Sequence, residues 1–150
     1  MAPLVERFKK QRKGGAVWMP FYYDGQCGNY LTELGFENVV HEEKDFFERV
    51  KDKKFMDKVG LVWDNPPYTG AGIKEQILSV LHDSGKPFVL LLPSSVLFSK
   101  LVRDTLDMEH VQVVMPRKVM VRKTGQAPVP FKHLVWLCYR LNMDKDLVFV

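Results

Sequence analysis

The stretch Leu61–Gly70 (LVWDNPPYTG) constrains the fold of this chain more than any other. A short apolar run ends there at a polar residue, two prolines and an aromatic ring. A buried strand that stops in such a rigid turn is typical of an open α/β sheet, which binds ligands at the carboxyl edge of its strands. Asn65 offers a side-chain carbonyl, and Pro66 offers a backbone carbonyl that the following Pro67 keeps out of a helix. With the flat ring of Tyr68, the turn is predicted to receive a planar group that carries an NH2.

The remaining chain alternates strands and helices around this turn. Hydrophobic periodicity and turn residues predict strands at residues 16–23, 36–42, 61–63, 88–92, 111–115 and 133–141. They predict helices at residues 28–34, 45–58, 73–82 and 96–106, with Gly60 after the second and Ser94-Ser95 capping the last. Val119–Val121 could extend the strand before it. Because the last two strands lack a helix between them, we expect one α/β domain over residues 16–150, with a mostly parallel sheet and an antiparallel finish.

The first 15 residues are expected to form a basic flexible arm. Phe8–Lys13 (FKKQRK) is followed by two glycines, and the cluster is either simply solvated or contacts phosphates or a nuclear-targeting receptor. This segment lacks the apolar core of a signal peptide, and no apolar run approaches the roughly 20 residues that span a bilayer. Cys27 and Cys138 are far apart, which favours a reducing compartment. We therefore expect an intracellular protein, cytoplasmic or nuclear, without a membrane partner.

The loop after the first predicted strand has features of a nucleotide-binding turn. Asp24, Gly25 and Gly28 stand between that strand and a helix, where glycines let the backbone approach a ligand closely. An ordinary tight turn would have the same sequence. Glu42 and Asp45 follow Gly25 by 17 and 20 residues, close to the roughly 20-residue interval at which an acid binds ribose hydroxyls. The alternative is a solvated acidic turn.

A basic, turn-rich loop over residues 116–132 is the best candidate for contact with a nucleic-acid backbone. The net charge of the whole chain is only +4, so charge alone identifies no partner. The loop, however, concentrates five cations beside a phenylalanine, which suits phosphate contacts and base stacking. These five are Arg117, Lys118, Arg122, Lys123 and Lys132. Simple solvent exposure is the alternative for this loop.

Several other kinds of site are disfavoured by the sequence. The four histidines, His41, His82, His110 and His133, share no metal-ligand spacing, so no metal site is predicted. The phosphate loop of NTPases and the nucleophile elbow of α/β-hydrolases do not occur. The chemistry predicted from this chain is therefore that of the turn after the third strand.

The turn carries a family resemblance. Asn65-Pro66-Pro67-Tyr68 resembles the catalytic (D/N/S)PP(Y/F/W) motif of class I S-adenosylmethionine-dependent methyltransferases of the amino-group type, which modify N6 of adenine or N4 of cytosine. The segment from Asp24 to Gly28 resembles a divergent form of their cofactor loop. The resemblance covers roughly residues 16–141 and implies a single-domain Rossmann-like methyltransferase fold.

The resemblance also implies a set of binding residues for S-adenosyl-L-methionine. Glu42 or Glu43 corresponds to the ribose-binding acid, and Asp45-Phe46-Phe47 to the segment that holds the adenine of the cofactor. Gly25 and Gly28 belong to the cofactor loop. Between the first strand and the motif strand there is room for one βα unit where the family normally has two. Either a strand is missing, or Glu42 and Asp45 carry out within one turn the binding roles that the family divides between two turns.

The function implied is transfer of a methyl group to an exocyclic amino group of a base, with N6 of adenine in DNA preferred. Asn65, Pro66, Pro67 and Tyr68 would be the catalytic residues. Enzymes that methylate rRNA bases or a protein glutamine amide have a similar motif, so these substrates remain alternatives. A non-catalytic, partner-dependent subunit is a third alternative. Because the chain has no separate target-recognition domain, a protein partner or self-association is expected to supply any sequence specificity.

Overall fold

The structure, a computed structural model, describes residues 2–11, 13–67, 70–121, 125 and 127–150. Its strands are β1 (Ala16–Trp18), β2 (Val39–Val40), β3 (Val59–Asp64), β4 (Phe88–Pro93), β5 (Val111–Met115), β6 (Val119–Val121), β7 (Val129–Phe131), β8 (Leu134–Tyr139) and β9 (Leu147–Phe149). Its α-helices are α1 (Ala2–Gln11), α2 (Cys27–Glu33), α3 (Phe46–Arg49), α4 (Lys53–Lys58), α5 (Ile73–Asp83) and α6 (Lys100–Thr105). Two short 3-10 helices cover Ser94–Phe98 and Met108–His110.

Seven strands form one sheet in the order β2-β1-β3-β4-β8-β5-β9. The pairs β1–β2, β1–β3, β3–β4 and β5–β9 are parallel, whereas β8 is antiparallel to both of its neighbours. The predicted α/β class with a mostly parallel sheet is therefore confirmed. Because β1 lies between β2 and β3, the chain leaves β1 toward one side of the sheet and later continues on the other. Such a reversal opens a crevice at the carboxyl edge between β1 and β3.

The sheet is covered on both faces by helices, which is why its central strands are continuous apolar runs. Val62, Phe88 and Leu90 point to the face that α3, α4, α5 and α6 cover. Trp63 and Val89 point to the opposite face, where α1 and α2 pack. Burial on both faces fixes the register of β3 and β4, and thus the position at which β3 ends.

The N-terminal segment differs from the predicted flexible arm, because residues 2–11 form α1. Val5 and Phe8, three residues apart on one helical face, are buried in the sheet's second core. The ring of Phe8 contacts that of Trp63 edge to face, with 5.0 Å between centroids. The flexible arm was predicted from the basic residues of this segment, whereas the apolar side chains of Val5 and Phe8 determine where the helix packs.

Two predicted helices are each divided by a capping residue. The helix expected over residues 45–58 is split because Asp52 accepts a hydrogen bond from Phe55 N at 3.0 Å and so starts α4. β3 begins directly afterwards, so Gly60 lies inside the strand instead of ending a helix. In the helix expected over residues 96–106, Ser99 accepts from Val102 N at 3.3 Å and starts α6, so Ser94-Ser95 is not its cap.

The C-terminal part differs from the prediction in two strands. Val119–Val121 does not extend β5 but pairs with β7 in a separate two-stranded antiparallel sheet. β9, which was not predicted, adds an outer strand parallel to β5.

The strand predicted over residues 36–42 is shorter in the structure, where it covers only Val39–Val40. Within the described part of the chain, no helix is long and apolar enough to cross a membrane.

Candidate functional site

The turn after β3 is fixed to the end of β1 by a buried carboxylate. Asp64, the last residue of β3, is only 2% exposed. Its Oδ2 accepts a hydrogen bond from Phe21 N at 2.6 Å, and its Oδ1 accepts one from Asn65 N at 2.8 Å. Hydrogen bonds to a carboxylate are stronger than bonds between neutral groups. The Asp64 side chain therefore joins the two strand ends that border the crevice between β1 and β3.

The protonation of Asp64 is sensitive near neutral pH. Burial raises the pKa of its carboxyl group to about 7, although the bonds from Phe21 N and Asn65 N act in the opposite direction. The charge on this side chain therefore changes between about pH 6 and about pH 8. Carboxyl groups with such perturbed pKa values are common near functional sites, although Asp64 itself is buried beside the turn and does not line the cavity that opens there.

Tyr23 holds the turn from the other side. Its hydroxyl group donates a hydrogen bond to the backbone carbonyl of Asn65. Burial, and then the charge of Asp64, raise the pKa of Tyr23 to about 12. The hydroxyl therefore stays protonated at neutral pH and keeps its role as a donor. Burial, followed by the charges of Asp64 and Asp24, also raises the pKa of the Cys27 thiol.

A cavity of about 320 Å³ opens at the carboxyl edge beside this turn, and we call it the switch-point cavity. It is lined by the segment after β1, by the start of α3, by Pro67 and by the start of α5. The lining residues are Pro20, Phe21, Tyr22, Tyr23, Lys44, Asp45, Phe46, Phe47, Pro67, Ile73 and Ile77. Three of the predicted site residues, Asp45, Phe46 and Pro67, are thus brought together in one cavity.

The wall around Phe46 is aromatic. The Phe46 ring lies 5.3 Å from Phe21 and 5.0 Å from Phe47, measured between centroids. It also stacks on Trp18 in the core, with 5.7 Å between centroids. Asp45 begins α3 and accepts from Glu48 N at 2.9 Å, which holds its carboxylate at the rim of the cavity. The cavity therefore combines aromatic surface with one positioned negative charge.

The predicted glycine loop lies next to this cavity but does not line it. Gly25 has a φ of 76°, and an added Cβ would come within 2.5 Å of the Tyr22 hydroxyl. A Cβ on Gly28 would lie 3.1 Å from that of His41. The Asp24 carboxylate accepts from Gln26 N at 3.1 Å, which is a local turn contact. The two glycines thus allow the loop to pack closely against Tyr22 and His41.

His41 has a buried nitrogen with no hydrogen-bond partner among the described residues. Its Nδ1 lies 3.0 Å from the carbonyl oxygen of Met19, which can only accept, so Nδ1 carries the proton. In the neutral form of the ring, the unpartnered Nε2 is the lone-pair acceptor. Its ring contacts that of Tyr22, a cavity residue, at 4.9 Å between centroids. A buried acceptor without a partner calls for a ligand or a water as an explanation.

Glu42 lies outside the cavity lining and is part of an ion-pair cluster. Its carboxylate lies 3.0 Å from the Lys44 ammonium group and 3.3 Å from the Arg49 guanidinium. Of the three acids predicted as ribose ligands, Glu42, Glu43 and Asp45, only Asp45 lines the cavity. The sequence spacing alone did not distinguish them.

The predicted nucleic-acid-binding residues lie on a hairpin at the same edge of the sheet. β5 ends and β8 begins at the carboxyl edge, so the β6–β7 hairpin between them extends from that edge. Arg117, Lys118 and Lys132 line a cavity of about 360 Å³. The half-exposed ring of Phe131 lies beside them. Arg122 and Lys123 lie outside the described residues.

The predicted catalytic residues are only partly joined by the structure. Asn65 and Pro66 form the turn that Tyr23 and Asp64 hold, but neither lines the cavity, whereas Pro67 does. Tyr68 lies outside the described residues. No role for Asp64 or Tyr23 was predicted from the sequence. Their roles depend on the parallel pairing of β1 with β3, which places both strand ends together and which no local sequence pattern indicates.

The class of protein that the fold defines is α/β, with a mostly parallel seven-stranded sheet and a separate antiparallel hairpin. Comparison with protein-family models gives no match, and neither does comparison with curated proteins. Any functional assignment of this chain therefore depends on its own residues and geometry.

Proposed function

We propose that this chain is an S-adenosyl-L-methionine-dependent methyltransferase that modifies an exocyclic amino group of a nucleic-acid base, with N6 of adenine in DNA as the preferred target. The observation that carries the proposal is the position of Asp64-Asn65-Pro66-Pro67. This turn lies at the carboxyl end of a central parallel strand and borders the switch-point cavity. An (N)PP turn at that place presents two carbonyl acceptors beside a ligand-sized space.

The sheet order supports the proposal. One antiparallel strand, β8, lies between the parallel strands β4 and β5, in agreement with the closing strands that the resemblance implies. Between β1 and β3 the only strand is β2, in a part of the chain that is fully described. This agrees with the single βα unit for which the sequence has room.

The residues of the switch-point cavity are compatible with the cofactor. Its volume of about 320 Å³ lies at the lower end of the roughly 300–1,000 Å³ of ligand pockets. Phe46 and Phe47 would hold a flat ring, and the Asp45 carboxylate would accept from ribose hydroxyls. The unpartnered His41 Nε2 beside the glycine loop provides a further acceptor for a hydroxyl or ammonium group. S-adenosyl-L-methionine, when bound, supplies a methyl group activated by a positively charged sulfur, and aromatic walls favour such a cation.

Asn65 and Pro66 would act on the amino group that accepts the methyl. The lone pair of an exocyclic NH2 is delocalised into the base, so the nitrogen is a poor nucleophile. If Asn65 Oδ1 and the Pro66 carbonyl accept its two N–H bonds, they stabilise the positive charge that develops on nitrogen. Asp64 and Tyr23 fix the backbone of Asn65, which carries one acceptor and immediately precedes the other, through the bonds to Asn65 N and Asn65 O. Fixed acceptors avoid the cost of reorganisation during the reaction.

The β6–β7 hairpin would hold the nucleic acid. Arg117, Lys118 and Lys132 extend from the same edge as the turn after β3, so phosphates bound there lie on the side of the reacting base. A base inside a duplex cannot reach a turn of this kind and must be flipped out or single-stranded. The target-recognition function would come from a partner protein or from a second copy of the chain.

One observation favours a partner-dependent subunit as a second candidate. Asn65 and Pro66 do not line the switch-point cavity, and neither does the Asp24–Gly28 loop. A partner that rearranges the turn and the loop would complete such a site. Methylation of an rRNA base or of a glutamine amide uses the same acceptors, so the substrate panel below includes both.

Calorimetric titration with S-adenosyl-L-methionine tests the cofactor site. We expect saturable binding to the wild type and about tenfold weaker binding to Asp45→Asn, which keeps the cap of α3 but removes the charge. Asp104→Asn, on the exposed surface of α6, is the matched control and should bind like the wild type. Absence of binding to the isolated wild-type chain would favour the partner-dependent subunit.

A panel of methyl acceptors with tritiated cofactor tests the substrate. Single-stranded DNA, rRNA fragments and a glutamine-containing protein are compared at equal ionic strength. We expect label in DNA at adenine N6. Label only in rRNA or only in a glutamine amide would transfer the assignment to that alternative.

A further inference from the structure

Another cavity lies at the opposite edge of the sheet, and we call it the amino-edge cavity. Gly15 precedes β1, Gly60 lies at the start of β3, and Pro87 precedes β4. Arg140 follows β8, which runs antiparallel and therefore ends at the same edge. With a volume of about 500 Å³, the space is larger than the switch-point cavity and separate from it.

The charge around the amino-edge cavity is positive. Lys13, Lys86 and Arg140 line it, and Asp57 is the carboxylate on its wall. His110 also lines it and lies 3.7 Å from the Asp107 carboxylate. Three cations that line one cavity attract anions, because a cleft concentrates the field of its lining charges.

The guanidinium of Arg140 is held firmly. It lies 4.7 Å from the centre of the Tyr139 ring and donates to the carbonyl of His82 at 3.2 Å. The Tyr139 ring is fully buried, and its hydroxyl group is bonded to Asp107 N at 3.1 Å. An arginine anchored in this way loses little side-chain entropy when it binds an anion.

The backbone around the cavity adopts an unfavourable conformation at three lining residues. Lys13, Arg140 and Asn142 have φ values of 48°, 58° and 50°. The structure describes only two other non-glycine residues with positive φ, Asn38 and His133. Left-handed backbone is unusual for lysine and arginine, and residues held there concentrate at binding sites.

The floor of the cavity brings two backbones close together. A Cβ added to Gly15 would lie 2.7 Å from Gly60 N, so only glycine fits at this position. Both glycines line the cavity, so main chain as well as charged side chains borders the space.

We propose that the amino-edge cavity binds a compact oligophosphate, such as the phosphate chain of a nucleotide, through Lys13, Lys86 and Arg140. Its space of about 500 Å³ is of the size that small ligands occupy in proteins. The site is independent of the proposed methyl transfer, because it lies at the other edge of the sheet.

Calorimetric titration with sodium tripolyphosphate at constant ionic strength tests this site. The wild type should bind saturably, and Lys13→Gln and Lys86→Gln should each weaken binding about tenfold. Lys100→Gln, on an exposed side chain of α6, is the matched control and should bind like the wild type. Far-UV circular dichroism establishes that each variant is folded.

Several results would overturn the proposal. No saturable binding by the folded wild type, or an equal loss in Lys100→Gln, would show that the cavity has no specific site. Loss in Arg117→Ala but not in Lys86→Gln would assign the anion to the hairpin. If a single-stranded oligonucleotide competes with tripolyphosphate and loses affinity in Lys86→Gln, the phosphates recognised belong to nucleic acid and not to a compact ligand.

Discussion

The carboxylate of Asp64 should make the stability of the protein depend on pH in a direction opposite to that of most carboxylates. Its folded-state pKa is raised from 3.8 to about 7 by burial. The folded chain therefore holds the proton more tightly than the unfolded chain does, and raising the pH between these values favours unfolding. The stabilisation is present below about pH 4 and is lost as the pH rises through about 7.

The size of the effect follows from the shift. A rise from 3.8 to about 7 corresponds to about 4 kcal/mol at pH values well above 7. Between about pH 5 and about pH 8, ionisation of Asp64 alone should lower the free energy of unfolding by about 2.5 kcal/mol. In Asp64→Asn this loss disappears. The new NH2 group instead faces one of the two backbone donors, Phe21 N or Asn65 N, at a cost of about 1–3 kcal/mol that does not depend on pH.

Urea unfolding of the wild type and Asp64→Asn from about pH 5 to about pH 8 measures this difference directly. The stability advantage of the wild type over the variant should fall by about 2.5 kcal/mol across the range, because other titrating groups cancel. Asp104→Asn on the surface of α6 is the control and should show a constant difference from the wild type. A wild-type–Asp64→Asn difference constant to within about 0.5 kcal/mol would refute the titration of a buried Asp64.

Three further predictions concern the core, the hairpin and the thiols. Phe8→Ala should lower the free energy of unfolding by about 3–5 kcal/mol, because it removes the buried ring that packs against Trp63. A decrease of less than about 1 kcal/mol, measured by urea unfolding, would show that α1 does not pack on the sheet. Replacing Arg117 and Lys132 by alanine should weaken oligonucleotide binding and reduce its slope against log salt by about 0.7 for each phosphate that is no longer neutralised; an unchanged slope would place the phosphates elsewhere on the surface. Cys138 is fully buried, and burial raises the pKa of its thiol to about 12, so iodoacetamide at about pH 8 should modify it only in denaturant. Labelled Cys138 in the folded protein, detected by mass spectrometry, would contradict this prediction.

The central strands were predictable because their apolar runs are buried on both faces. The strand predicted at Phe88–Leu92 lies within β4, and the one predicted at Val111–Met115 matches β5. The strand predicted at Leu61–Trp63 is the central part of β3. Polar caps inside the predicted helices were harder to interpret. Asp52 and Ser99 each interrupt an apolar pattern that continues past them, and only the side-chain bonds to Phe55 N and Val102 N show where the chain turns.

The candidate site was predictable in its turn but not in its supports. The two prolines fix the place where β3 gives way to a turn, so Asn65 could be located from the sequence. The bonds from Tyr23 and Phe21 depend on β1 lying beside β3, a long-range pairing that local patterns do not encode. For the same reason the sequence did not show that the glycine loop, predicted to bind the cofactor, packs against Tyr22 and His41 beside the cavity.

The outer strand β9 was missed for a related reason. β9 has exposed side chains at Leu147 and Phe149, so it lacks the apolar signature of a buried strand. It forms only because β5 offers an open edge, as the bond from Val150 N to Met115 O at 2.9 Å illustrates. Edge pairing of this kind is decided by the completed sheet.

The most direct test of the proposed function is methyl transfer from tritiated S-adenosyl-L-methionine to single-stranded DNA by the wild type and by Asn65→Ala. Asn65 would bind the reacting amino group, so the variant should bind the cofactor with wild-type affinity and lose methyl transfer by at least about 100-fold. The label should appear as N6-methyladenine after digestion of the DNA. Wild-type rates in Asn65→Ala would contradict the role of the turn, and a wild-type chain that binds the cofactor but labels no DNA, RNA or protein would contradict the proposed reaction.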